Sequence, residues 1–184
     1  MSRAFVSDDT SDSRADEALE IKIPIPPGSR NYVTPEGGIA LANELRHLEL
    51  QERPRVQAEL DRAAASGAEE DVLSSLRKTK AKLERRIEYL SRMAAMTDVV
   101  PEPAGGYDTV RFGARVRVLE ASDQVREYRI VGVDEADPER GLIGWTSPIA
   151  RALMGKAPKD LAKARLPDRE IVLEIVSLVQ EQKP

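Results

Sequence analysis

Ser66-Gly67-Ala68-Glu69-Glu70-Asp71 is the stretch whose reading decides the fold. A helical pattern runs up to it from about Glu36 to Ala65, and a second leaves it from about Val72 to Met96. Two long helices joined by so short a turn fold back antiparallel. At about 1.5 Å per residue each arm is roughly 40 Å long, more than the radius of a small domain. The hairpin therefore projects and carries three carboxylates, Glu69, Glu70 and Asp71, at its far end. That shape delivers acid groups to places a globular body does not reach.

The helix patterns are specific at their ends and along their faces. Thr34 is suited to cap the first helix, Pro35 to its first position, and Glu36 to the positive end of its dipole. Leu41, Leu45, Leu48, Val56, Leu60 and Ala63 then form one apolar stripe. Pro54 interrupts the pattern and predicts a kink. The second helix carries Leu73, Leu76, Leu83, Ile87 and Leu90, with Lys80 and Ala94 in the gaps, so the two stripes face each other as a coiled coil. An ordinary helical bundle would need a third long helix, which the sequence does not supply.

Composition narrows the function classes. The chain has 184 residues, 41 % of them hydrophobic and 33 % charged, which is globular but charge-rich. Only two Phe, one Trp and four Tyr are present, so the core is mostly aliphatic. The net charge of −4 argues against a general nucleic-acid binder. With no Cys and the single His47, disulfides, thiolate catalysis and His- or Cys-rich metal sites are excluded. No apolar run reaches transmembrane length and no signal-peptide pattern opens the chain, so the expectation is a cytoplasmic protein with no membrane partner.

The remaining chain divides on its punctuation. Residues 1–31 read as a disordered acidic and Pro-rich extension, with Phe5 and Val6 in an otherwise polar tail. Residues 32–98 make the hairpin, and 99–106 a Pro- and Gly-rich linker. From 107 to 184 the period changes to alternation. Strands are expected at Thr109–Phe112, Arg115–Leu119, Glu127–Val133, Leu142–Thr146 and Ile171–Val179, with a weaker one at Asp160–Leu166. Ser147-Pro148 starts a short helix from Ile149 to Met154 that Gly155 ends. The fold class is α+β: a coiled-coil hairpin followed by a mostly antiparallel sheet with one short helix.

These segments, in order, resemble the GreA/GreB family of bacterial transcript-cleavage factors over roughly Tyr32 to Val179. The matching residues are Val33-Thr34-Pro35-Glu36-Gly37, Glu52-Arg53-Pro54 and Arg85-Arg86-Ile87-Glu88-Tyr89-Leu90. In the second domain they are Val110-Arg111-Phe112-Gly113-Ala114, Tyr128 to Glu135, and Ser147 to Leu153. The resemblance implies an FKBP-like second domain that docks on the rim of the secondary channel of RNA polymerase core. Asp134, Glu135, Ser147, Pro148, Ile149, Ala150 and Leu153 would make the docking surface. It implies a hairpin that enters the channel, where tip acids, here Glu69 and Asp71, help the polymerase hold a second Mg²⁺. The 3′ end of backtracked nascent RNA is then cut. Carboxylate oxygens suit that ion, and a second metal stabilises attacking and leaving oxygens. Arg77, Lys78, Lys80 and Lys82 stand where the family's basic patch meets RNA phosphates. The catalytic apparatus and the Mg²⁺ would be the polymerase's, so the chain would be no enzyme by itself, have no cofactor of its own, and act as a monomer.

The tip departs from the family pattern Gly-Asp-x-x-Glu-Asn-Ala-(Asp/Glu)-Tyr. Counted from Gly67, the first acidic position is Ala68 and the second Asp71; counted back from Arg85-Arg86-Ile87, the tip is about two residues short and the second acid is Glu69. Stimulated cleavage and non-cleaving or inhibitory channel binding both stay open. The plainer reading of the acids is that Asp71 caps the second helix while Glu69 and Glu70 favour its dipole; that of the cations is a solvated face partly paired with Glu84 and Glu88. Phe112 and Trp145 read as core, and His47 as surface. Two further functions compete: a coiled-coil adaptor to another protein, and a prolyl isomerase on fold analogy alone, for which only Tyr107, Phe112, Tyr128 and Trp145 offer aromatic lining.

Overall fold

The computed structural model describes residues 21–120 and 124–179. Phe5, Val6 and the acidic stretch that follows lie outside the described residues. The chain enters at β1 (Asn31–Val33) and climbs α1 (Pro35–His47), a π-helical turn (Leu48–Glu52) and α2 (Arg53–Ala65). It turns at Gly67 and descends α3 (Glu70–Ala95) into β2 (Thr97–Val99). Thr34 caps α1, its hydroxyl accepting from the Gly37 amide at 3.0 Å. The kink expected at Pro54 is realised as the π turn. Proline has no N–H and its ring collides with the carbonyl four residues back, so a helix that must continue through it widens locally. At the exit of that turn the Arg53 amide reaches the Leu48 carbonyl, a five-residue step.

The hairpin base is closed by an element the sequence reading missed, a parallel pair of β1 and β2 in the register Asn31↔Thr97 to Val33↔Val99. Asn31 is buried there, its side-chain amide donating to the Met93 carbonyl and the Thr97 hydroxyl at 3.3 Å each. Leu41, Leu90 and Met93 form the core of this end, with Ile23, Leu45, Leu48 and Val133 packed around them. Two boundaries therefore move. Part of the expected extension is built in: Ile25 is buried and Ile23 joins the hairpin core. Val99 belongs to β2 and not to the linker.

The second domain is a five-stranded sheet of β3 (Arg115–Glu120), β4 (Val125–Val131), β5 (Leu142–Gly144), β6 (Leu161–Arg165) and β7 (Glu170–Val179). Its order is β5-β4-β3-β7-β6, antiparallel except for the parallel pair β4–β5. One face buries Val116, Val118, Ile130, Leu173 and Ile175 against α4 (Pro148–Leu153). The strand expected at Thr109–Phe112 is absent. Val110 is fully buried and its two backbone groups pair with Gly155 and Lys156 at 2.8 Å, outside any ladder. The alternation of Val110 and Phe112 reports burial, which a tied loop supplies as well as a strand does.

Candidate functional site

The tip is built from backbone capping. Gly67 sits at φ +69°, in the left-handed region. The Ala68 amide donates to the Ala63 carbonyl at 3.0 Å and the Gly67 amide to that of Ala64 at 3.2 Å, the paired bonds of a Schellman stop. The chain restarts as a helix with Glu69 at its N-cap, where its carbonyl, and not its side chain, takes the first bonds. Glu70 and Asp71 occupy the first two helical positions, so the expectation that Asp71 caps the helix is overturned. All three acids are exposed and sit over the positive end of α3. They are not equivalent. Glu70 is tied to Arg77, Oε1 to a guanidinium nitrogen at 2.6 Å, whereas Glu69 and Asp71 make no ion pair among the described contacts.

Among the described residues no three His, Cys, Asp or Glu side chains gather into a metal-binding group. The tip is therefore not a closed cage. Two neighbouring carboxylates with free oxygens are nevertheless the donor set that Mg²⁺ takes when the remaining ligands come from elsewhere.

The four cations do not share a face. At about 100° per residue, Lys78, Lys82 and Arg85 line the side of α3 turned away from the seam. Lys80 lies in the seam, half-buried beside Glu49, Leu50, Arg53, Pro54, Gln57 and Glu84. Arg77 is neutralised by Glu70. Arg85 lies on the same side as Lys78 and Lys82, as helical phase requires. Arg86 is spent on Glu44 through two hydrogen bonds of 2.8 and 2.9 Å.

The expected docking surface splits in two. Asp134 and Glu135 are a joint between the domains. Tyr89 donates to Asp134 at 2.7 Å. Glu135 accepts from the Thr34 amide at 2.9 Å, from the Thr34 hydroxyl, and from the Gly132 amide at 3.1 Å. Burial first, and then the bond to Asp134, push the Tyr89 hydroxyl well above its ordinary range. Arg129 bridges to Glu102 at 2.8 Å and Glu36 at 3.7 Å, and Tyr32 lies edge-on to Trp145 at 5.5 Å. Glu36 is held below the usual carboxylate range, chiefly by a hydrogen bond from its own backbone. On α4, Ser147 caps the helix at 3.2 Å, and Ala150 and Leu153 are fully buried in the core of their own domain. An exposed Pro148 and a half-buried Ile149 are what α4 presents. Phe112 and Trp145 pack on the core from its edge, where both also meet Tyr32. His47 is exposed, 3.8 Å from Glu52.

An acid-tipped helical hairpin, clasped at its base to a small mixed sheet, defines a two-domain α+β protein of a restricted kind. Residues 31–99 match the family model described as transcription elongation factor, N-terminal, and residues 104–180 that described as transcription elongation factor, GreA/GreB, C-term. The chain is 34 % identical over 145 residues to transcription elongation factor GreA of Wolinella succinogenes, covering 77 % of this chain and 90 % of that protein. It is 33 % identical over 158 residues to GreB of Haemophilus ducreyi, covering 83 % and 96 %. The solved structure of GreA factor homolog 1 (Gfh1) of Thermus thermophilus is 19 % identical at a TM-score of 0.38, covering 82 % of this chain and 99 % of that one. The chain belongs to the GreA/GreB family of transcription elongation factors. None of its described helices is long and apolar enough to cross a membrane.

Proposed function

We propose that this chain binds RNA polymerase core at the secondary channel and extends its hairpin towards the active site, where it stimulates cleavage of backtracked RNA. The observation that carries the proposal is the tip: Glu69 and Asp71 stand exposed and unpaired at the end of a helical arm. Their role is to present oxygens at a fixed spacing set by the start of α3. Mg²⁺ held between them and the polymerase would stabilise charge on the attacking and leaving oxygens. Lys78, Lys82 and Arg85 lie behind the tip and face phosphate. Pro148 and Ile149 dock the second domain, the chain acts as a monomer, and it supplies no catalytic residue of its own.

A second reading, channel occupancy without cleavage, is favoured by two facts of the tip. Ala68 stands where the family pattern has an acid, and Glu70 is tied to Arg77. One assay separates them: cleavage of RNA in a stalled, backtracked elongation complex, with the protein and its Glu69→Ala and Asp71→Ala variants. Cleavage accelerated by the protein and lowered roughly a hundredfold in either variant, the usual order for losing a group that stabilises the transition state, supports the first reading. Binding with unchanged or slower cleavage supports the second. Failure to bind core polymerase at all removes both and leaves the adaptor.

A further inference from the structure

We infer that the acidic segment Ser7–Glu20 is the intramolecular occupant of the cationic outer face of α3. The segment carries Asp8, Asp9, Asp12, Asp16, Glu17 and Glu20 against the single cation Arg14. The described chain begins where such an occupant would have to start: Ile21 lines one groove with Arg92 and Met96, at the foot of α3. From Arg92 the outer face runs towards the tip past Tyr89, which is tied to Asp134, to Arg85, Lys82 and Lys78. The fourteen steps from Lys78 to Arg92 span about 20 Å of helix at 1.5 Å each. Residues 7–20, extended at about 3.3 Å each, reach roughly 45 Å, twice what is needed.

Charge supplies the complementarity. Lys78, Lys82 and Arg85 are exposed and have no ion pair among the described contacts, while Arg92 bridges to Glu88 at 2.5 Å. The acids on or beside that face are Asp71 at its far end, Glu88 at its foot and Asp134, which accepts from Tyr89 between Arg85 and Arg92, so the purely cationic stretch is Lys78 to Arg85. Tethering puts the acidic segment at an effective concentration in the millimolar range, enough for contacts too weak to form between separate molecules. The face that would meet RNA phosphate is then covered until a stronger anion displaces the segment. The placement itself is testable on the chain alone, without RNA or polymerase.

The absence of cysteine makes the test clean. Ser11→Cys is paired with Ala81→Cys, an exposed position beside Lys78 and Lys82, or with Ala58→Cys, exposed on α2 about 200° round from the buried Val56. Under mild oxidation the Ala81 pair is expected to form an intramolecular disulfide roughly tenfold faster than the Ala58 pair, as proximity demands. Adding Lys78→Glu, Lys82→Glu and Arg85→Glu, all surface changes, is expected to abolish that excess. Equal rates for the two pairs, or an excess that survives the charge reversal, overturn the inference.

Discussion

Glu135 is the residue on which most of the joint converges. It accepts three hydrogen bonds, two of them from Thr34, which is 1 % exposed. Removing a charged acceptor strands buried donors, at about 1.5–3 kcal/mol. Glu135→Ala is expected to destabilise the protein by that amount in urea unfolding, and Glu135→Gln by less. Tyr89 makes a pH prediction at the same scale. Its hydroxyl titrates higher in the folded state than its ordinary value near 10, because it is half-buried and donates to Asp134. Above that pH the unfolded chain has released a proton that the folded chain keeps. Stability therefore falls as pH rises past about 10. Tyr89→Phe is expected to flatten the decline, seen by following unfolding midpoints from pH 8 to 11; Tyr107 and Tyr128, also raised, account for what slope is left.

At the scale of elements, the turn at Gly67 holds the tip in register. A Cβ at Gly67 meets no atom within 4 Å, so Gly67→Ala tests the backbone alone. A non-glycine residue in the left-handed region costs about 1–2 kcal/mol, and urea unfolding of the variant is expected to show that loss. The helices, the turn and β3 to β7 were legible in the sequence, because their periods and caps are local. The β1–β2 clasp was not: three residues pair with three others 66 positions away, and neither run alternates long enough to announce a strand. The joint was hidden for a related reason. Asp134 and Glu135 stand next to each other in a conspicuous motif, and sequence alone does not reveal that their partners are Tyr89 and Thr34. That the three acids sit together at the turn was legible, but their inequivalence depends on Arg77 reaching back seven residues to Glu70.

At the scale of the molecule, the joint makes the two domains interdependent. Val133 packs into the hairpin core, Tyr32 packs on Trp145 and Phe112, and Arg129 reaches Glu36. Calorimetry of the whole chain is expected to show one cooperative transition. The double variant Glu135→Ala and Tyr89→Phe is expected to split it in two, since polar ties supply much of the contact. A single transition that merely moves to lower temperature would locate the coupling in the apolar contacts.

The π turn carries a consequence for changes in chain length. Along the first arm the apolar buried or half-buried positions step from Leu41 to Leu45 to Leu48, then to Val56, Leu60 and Ala63. Leu48 and Val56 are eight apart, one more than the seven that return a helix to the same face. The wide turn stores that surplus residue, and Pro54 sits where the widening relieves its ring. Surplus and proline compensate each other, so they are expected to behave as a linked pair. Deleting Gln51 forces the ring against a regular turn, and Pro54→Ala leaves a bulge with nothing to justify it. Made together, the two changes should yield an unbroken helix, one residue shorter, with its seam intact, and cost less than the sum of each alone. The length of this arm is thus open to revision by one residue, provided two positions are edited at once.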